Sequence, residues 1–306
     1  VPMLPEYPLV VVEDQTTNEI CDGFELDRTQ LKLIKLLGTG NFGQVSKAIY
    51  QPSQLQVAVK SLKENAETVD LECIMKELEV MKSLRAHPHV VDLIGHYPVF
   101  IVLEYLPYGD LLGYLRKSRG IEDTYNTGEK GPSSALNEKD LLSFAWMIAD
   151  GMGYLASMKF ANFRVVHRDL AARNVLVGEN RVCKISDFGL ARRLEKNIYT
   201  RRTQARLPIK WMSPESIFKA ESTTKSDVWS YGIVMWELLT LGGSPYPDMS
   251  VQELIPMLEG GYRMPKPNHV SEKLYAIILE CWNEQPENRP TFSWICFAVK
   301  RLLDDV

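Results

Sequence analysis

The chain has 306 residues, 45% of them apolar, and a formal net charge of −4; it can bury a large core in one large or two modest domains, and its charge points to neither nucleic acid nor an anionic membrane. The longest early apolar run, Pro8-Leu9-Val10-Val11-Val12, is far short of the ~20 residues that span a bilayer, and no signal peptide is recognisable. Five cysteines without a CxxC pair favour reduced thiols in a cytosolic setting and offer no zinc-ligand spacing.

Residues 1–28, with Pro2, Pro5 and Pro8, read as an extended leader. Strand-like runs follow at 31–37, 44–50 and 56–62, then one helical pattern at 68–84 and another strand at 99–103. After Pro107 the periodicity is helical, most plainly at 141–158 and 227–241. Residues 117–138 hold Gly120, Gly128, Gly131, Pro132, Ser133 and Ser134 among charges, and read as a flexible insert. Strands first and helices second predict an α+β chain with two unequal lobes, and there is no internal repeat.

Two groups of residues carry chemistry. Gly38-Thr39-Gly40-Asn41-Phe42-Gly43-Gln44-Val45 matches GxGxxGxV, a pattern that dinucleotide-binding folds also use. A dinucleotide fold needs a helix opening at the last glycine, whereas here a strand pattern follows, so the glycines belong to a hairpin. Without Cβ atoms they let backbone amides approach phosphates. The second group is His167-Arg168-Asp169-Leu170-Ala171-Ala172-Arg173-Asn174, with Asp187-Phe188-Gly189 beginning thirteen residues after Asn174. One carboxylate is spaced to meet a hydroxyl proton, while an amide and a second carboxylate are spaced to hold a cation on a nucleotide.

On these motifs the chain resembles the protein kinases, and its Ala-Ala-Arg-Asn ending resembles the receptor tyrosine kinases. The resemblance spans about residues 29–304. It implies a two-lobed kinase fold: a small, mainly antiparallel β lobe with one helix at about 29–105, and a larger, mainly α-helical lobe at about 106–306. The leader at 1–28 becomes juxtamembrane-like and residues 117–138 become the kinase insert. ATP is the implied cofactor, with Mg²⁺ (or Mn²⁺) held by Asn174 and Asp187. Leu37, Gly38, Gly40, Gly43 and Val45 belong to the phosphate-covering hairpin, and Lys60 of Val57-Ala58-Val59-Lys60 holds the α- and β-phosphates. Val45, Ala58 and Leu176 form the adenine slot. Glu104 and Leu106 lie in the hinge, where main-chain groups read adenine, and Leu103 is the gatekeeper. The stretch between Gly95 and Glu104 is about four residues shorter than receptor tyrosine kinases usually show, so Pro98 is expected to tighten the preceding hairpin.

Lys60 needs a carboxylate partner on the helix that follows. Among Glu72, Glu77 and Glu79, helical spacing sets only Glu77 in an apolar surround, with Cys73, Ile74, Val80 and Met81 at i±3 and i±4. An unpaired carboxylate there would be costly, which selects Glu77. Asp169 is the expected acceptor of the substrate proton. Serine/threonine kinases usually place a lysine two residues after that acid, where Ala171 stands, whereas Arg173, four residues after it, follows the receptor tyrosine kinase pattern. Leu207-Pro208-Ile209-Lys210-Trp211 resembles the platform on which a phenolic ring packs. Glu215 is expected to pair with Arg289, and Asp227 to hold the catalytic loop.

Residues 190–206 set Arg192, Arg193, Lys196, Arg201, Arg202 and Arg206 against one acid, Glu195, and hold one tyrosine, Tyr199. Phosphate on Tyr199 would add about −1.5 to −2 charge and gather Arg168 with these arginines. The resemblance thus implies a tyrosine kinase acting on protein and peptide substrates, switched by trans-autophosphorylation in a transient homodimer. It further implies the cytoplasmic domain of a single-pass plasma-membrane receptor, tethered through a segment outside this sequence. The competing readings are an inert pseudokinase scaffold and a dual-specificity kinase. Tyr7 and Tyr125 are further modification candidates.

Overall fold

The structure, a computed structural model, describes residues 23–40, 43–121, 128, 135–158, 164–194, 199–200 and 207–306. Tyr7, Tyr125, most of the leader and the centre of the expected insert lie outside these. The chain divides into two compact units. The first holds residues up to Met75 together with Leu93–Glu104, and the second holds Lys76–Asp92 and Tyr105–Val306.

In the first unit, β1 (Leu31–Thr39), β2 (Gln44–Tyr50), β3 (Leu55–Ser61), β4 (Leu93–Tyr97) and β5 (Phe100–Glu104) form one antiparallel sheet in the order β1-β2-β3-β5-β4. Strand alternation sends Val57 and Val59 to one face, where they join Leu31, Ala48, Phe100 and Val102 in a buried cluster. The opposite face carries Ala58 and Lys60. β4 and β5 close on Pro98-Val99, with Tyr97 opposite Phe100, so this hairpin is as tight as the sequence suggested. The described end of the leader is not merely an extended tail. Glu25 bridges His96 in parallel, Leu26 N–H donates to the His96 carbonyl at 2.8 Å, and His96 N–H donates to the Phe24 carbonyl at 2.9 Å. It thereby covers the β4 edge, which would otherwise expose unpaired backbone.

Helix α1 (Thr68–Lys82) buries Ile74, Glu77, Leu78 and Met81, the spacing of one helical face. The segment that follows belongs to the second unit because backbone bonds fix it there: Val91 N–H to the Ile185 carbonyl, and Ile185 N–H to the His89 carbonyl, each 2.9 Å. His89 Nδ1 also lies 2.7 Å from Asp150 Oδ2, and His87 Nδ1 accepts from His89 N–H at 3.2 Å.

The second unit is mostly helical. α2 (Leu111–Ser118) starts at Asp110, whose Oδ1 accepts from Gly113 N–H. α3 (Glu138–Ser157) opens with a reciprocal Asn137–Asp140 capping box. Short antiparallel pairs follow: β6 (Arg164–Val166) with β9 (Arg192–Leu194), and β7 (Val175–Val177) with β8 (Cys183–Ile185). β10 (Tyr199–Thr200) pairs with β11 (Glu221–Ser222), which lies beyond α4 (Pro214–Phe218). α5 (Thr224–Leu239) is buried at every position from Ser226 to Leu239 and packs on α3 and α7 (Glu272–Cys281). α6 (Val251–Glu259) and α8 (Phe292–Asp304) complete the described helices, α8 lying along α3. Both long helices run about three residues ahead of the expected 141–158 and 227–241, because their capping residues are polar and invisible to apolar periodicity.

Candidate active site

Within the first unit, β1 and β2 form the expected hairpin, with Gly38 opposite Val45 and Thr39 opposite Gln44. Gly40 N–H closes the turn on the Gly43 carbonyl at 2.8 Å. The three glycines are not equivalent. A Cβ on Gly38 would meet nothing within 4 Å, whereas one on Gly43 would run into the Ser61 carbonyl oxygen. Gly43 is needed for close strand packing as well as for any approach to phosphate. Register places Val45 opposite Lys60, and Ala58 opposite Leu103. These four expected nucleotide contacts therefore share the sheet face that looks away from the valine core. Lys60 is 9% exposed and Glu77 only 1%, while Glu72 and Glu79 are exposed. Of the three candidate glutamates, burial singles out the one that helical spacing selected.

In the second unit, the catalytic loop hangs between β6 and β7. Its backbone is anchored from α5: Asp227 Oδ2 accepts from His167 N–H and Oδ1 from Arg168 N–H, both at 2.9 Å. Arg168 sits at φ 69°, a strained left-handed conformation for a residue with a Cβ, and these two bonds hold it there. Burial pushes the Asp227 carboxyl above its usual range, while His167 and the two amides work the other way. His167 Nε2 lies 3.1 Å from the Ser186 carbonyl and its Nδ1 accepts from Asp169 N–H at 3.3 Å, which fixes the proton on Nε2.

The β7–β8 register, with Val175 opposite Ile185, brings the two motif ends together. Ser186 N–H donates to the Asn174 carbonyl at 2.9 Å, so Asn174 and Asp187 flank the mouth of one two-strand ribbon. Asp187 adopts the left-handed conformation (φ 61°) and its Oδ1 accepts from Gly189 N–H at 3.4 Å. Phe188 is fully buried beside the His167 ring. The Asn174 Nδ2 donates to the Asp169 carbonyl at 2.7 Å, which turns its Oδ1 away as an oxygen donor. An amide oxygen and a carboxylate suit a hard divalent cation.

The Asp169 carboxylate itself receives Arg173 Nη2 at 2.5 Å. Burial raises this carboxyl above the ordinary carboxylate range, Arg173 opposes the rise and the Asp187 charge adds to it. The result is a carboxylate more basic than one in water, pinned in one orientation. Arg173 in turn lies over the Trp211 ring, 4.3 Å from Cζ to centroid. Trp211 Nε1 donates to Glu237 Oε2 at 2.9 Å, and the same oxygen accepts from Ala172 N–H at 3.0 Å.

Residues 31–299 match the protein tyrosine and serine/threonine kinase family. The chain belongs to that family. Tyrosine kinase receptor Cad96Ca of Drosophila melanogaster is 42% identical over 295 residues, a stretch that is 92% of this chain and 37% of that protein. The kinase domain has the expected antiparallel sheet and helical large unit, and membership brings the use of ATP with a divalent metal. Leu106 and Leu176 lie in the second unit, where Leu106 packs against Gly178 and Leu176 bridges Asp110. Leu37 lies on β1, and Glu104 is opposite Val57. The Tyr199 backbone pairs with Ser222, while residues 195–198 and 201–206 lie outside the described residues. One residue of this network has no place in the sequence motifs, Glu237, and the bond of Trp211 to it was likewise not foreseen. A signal for Glu237 was present: it is an acid inside the apolar run Met235-Trp236-Glu237-Leu238, where an isolated carboxylate needs a reason.

Proposed function

We propose that this kinase domain transfers the γ-phosphate of ATP to tyrosine hydroxyls of proteins and peptides. The observation that carries the reading is the Asp169 carboxylate, held by Arg173 on a loop pinned through Asp227, with Asn174 and Asp187 beside it. The phenolic oxygen attacks the γ-phosphorus, the bond to the β–γ bridging oxygen breaks, ADP departs, and the phenolic proton passes to Asp169. Asn174 and Asp187 would hold Mg²⁺, which would supply charge neutralisation on the phosphates. Lys60 would position the α- and β-phosphates, with Glu77, the one candidate glutamate set among apolar helical neighbours, as its carboxylate partner. The glycine hairpin of Leu37, Gly38, Gly40, Gly43 and Val45 covers the phosphates. Ala58, Leu103, Glu104, Leu106 and Leu176 receive the adenine.

Tyrosine rather than serine follows from Ala171, fully buried where a phosphate-contacting lysine would otherwise stand, and from Arg173 taking up the same acid from four residues on. The name of the Drosophila relative agrees. That name, and the fraction of it that this chain spans, also support placement as the cytoplasmic catalytic part of a single-pass receptor. Among the described residues no helix is long and apolar enough to cross a membrane. Phosphorylation of Tyr199 in a transient homodimer would raise activity by supplying an anion for Arg168.

Incubation with Mg²⁺-ATP and poly(Glu,Tyr) tests the reading. The wild type is expected to incorporate phosphate as phosphotyrosine alone. Asp169→Asn should bind nucleotide yet lose nearly all turnover, of order 10²–10⁴-fold. A nucleotide-dependent thermal shift without phosphate transfer would establish a scaffold, and phosphoserine in the product a dual-specificity enzyme. Tyr199→Phe should abolish the gain in rate on pre-incubation with ATP.

A further inference from the structure

Glu237 is 1% exposed in the most buried helix of the chain. A carboxylate there is strongly destabilising unless several donors hold it. Its donors come from two segments far apart in sequence. Ala172 N–H belongs to the catalytic loop, and Trp211 Nε1–H to the turn Ile209–Trp211 that leads into α4. Both bonds end on one oxygen, Oε2. The indole so fixed carries the Arg173 guanidinium on its face, and that guanidinium reaches Asp169 Oδ1. Four side chains thus form one line from the C-terminal end of α5 to the acid, and Ala172 gives Glu237 a second hold on the same loop.

We propose that Glu237 is a positioning residue for phosphoryl transfer: through Trp211 and Ala172 it sets the angle at which Arg173 presents itself to Asp169. The inference rests on the reading that Asp169 receives the acceptor's proton. It assigns Trp211 a task as well. Trp211 closes the segment on which the acceptor ring is proposed to pack, so seating that segment and orienting the acid become one event. A chain carrying this segment out of place would lose Arg173's support of Asp169 even with every catalytic residue present. The charged groups around Glu237 are Arg173 from the loop and Arg116 from α2, and both favour its ionised form; burial opposes them and pushes its carboxyl up to about 7.

The test separates positioning from mere folding. Glu237→Gln is nearly isosteric, keeps one acceptor oxygen and removes the charge. Trp211→Phe keeps a ring beneath Arg173 and removes the indole N–H. Each is expected to lower kcat about tenfold, the loss of one charge-assisted hydrogen bond, with KM for ATP and peptide changed less than about twofold. The double variant should be no worse than the weaker single one, because both cut the same line. In the wild type kcat should fall as pH drops through about 7, and Glu237→Gln should lack this limb. Equal kcat and pH profile in wild type and Glu237→Gln would overturn the inference, as would multiplying losses in the double variant. Should Glu237→Gln not fold, Trp211→Phe, at a half-buried position, decides by a lowered kcat at unchanged KM; a wild-type kcat in that variant would overturn the inference. Absence of Asp169-dependent transfer in the wild type would instead strike the functional reading beneath.

Discussion

Arg289 has a side chain with no solvent exposure, and it holds Glu215 in a two-pronged ion pair: Nη1 to Oε1 at 2.7 Å and Nη2 to Oε2 at 2.8 Å. The guanidinium also donates to the carbonyls of Asn283 and Lys225, both at 2.9 Å, and stacks on Trp229 at 5.2 Å. Glu215 further accepts from the Ser226 hydroxyl at 3.0 Å. Glu215→Gln leaves a buried cation with carbonyls for company but no counter-charge, which costs about 3–5 kcal/mol. For a chain of this length that lowers Tm by roughly 5–10 °C. Arg289→Met should cost at least as much, since it strands the carboxylate and removes the donor from the carbonyls of Asn283, Lys225 and, at 3.4 Å, Glu284, at about 1–3 kcal/mol for each one left unsatisfied. The charge-free double variant Glu215→Leu/Arg289→Met should recover the charge part and not the carbonyl part, so its Tm should lie above that of Arg289→Met and below the wild type. Calorimetry of the four proteins, with kinase activity at a temperature where all are folded, is the assay. If Glu215→Gln shifts Tm by less than about 2 °C, the uncompensated-charge argument fails. The pH dependence gives a second check. Burial would raise the Glu215 carboxyl, but Arg289 more than offsets it and holds it below its usual value. A depressed folded-state value means stability that is present above the unfolded pKa and is lost as pH falls through the folded one, so Glu215→Gln should flatten the acid limb.

Glu237 has the opposite sign. Its carboxyl is raised from 4.5 to about 7, so between those values the folded chain keeps a proton that the unfolded chain releases, and stability falls as pH rises across the window. The difference amounts to about 3 kcal/mol, and Glu237→Gln should be more stable than wild type at pH 8 by up to about that much yet equal to it at about pH 4, below the unfolded value, as urea titrations would measure. Gly43→Ala should destabilise by about 1–3 kcal/mol because its Cβ meets the Ser61 carbonyl, whereas Gly38→Ala, with open space, should leave Tm unchanged. Asp227→Asn leaves one oxygen for two amides, so Arg168 or His167 N–H loses its acceptor; a cost of about 1–3 kcal/mol and a lower turnover should appear together in denaturation and steady-state assays.

The site was legible where chemistry is written in short-range spacing. Asp169, Asn174 and Asp187 could be grouped because a strand pair long enough to reverse the chain lies between the last two, and Val175 opposite Ile185 is that reversal. Glu77 could be chosen because helical neighbours are fixed by arithmetic, and its burial agrees. Asp227 and Glu215 could be given their loop-holding and ion-pairing tasks through resemblance, and their hydrogen bonds are in place. What local pattern could not reveal is which distant segments share an atom. Ala172 and Trp211 are thirty-nine residues apart, and nothing in either stretch announces that both donate to one oxygen of Glu237. Leu26 read as part of a leader because an edge strand made of one bridge has no periodicity to display. His87, His89 and Asp150 likewise meet only through the fold.

The same distinction explains why the helix that reads as pure core carries so much of the site. α5 is buried all round, so any polar group on it must be satisfied by backbone or side chains from other elements. Asp227 near its start takes two catalytic-loop amides, and Glu237, ten residues on, takes a third together with the Trp211 indole. Two buried acids on one rigid rod therefore grip the loop at both ends, at His167-Arg168 and at Ala172, with Asp169 between the grips. A loop fastened in this way spends no conformational freedom when substrate arrives, which is the condition for a carboxylate to act at a fixed distance from a transferred phosphate. The carboxylates that hold the loop are thus as much a part of the chemistry as the one that meets the proton, and the buried charge they require is a standing loss of stability that the fold tolerates at this one place.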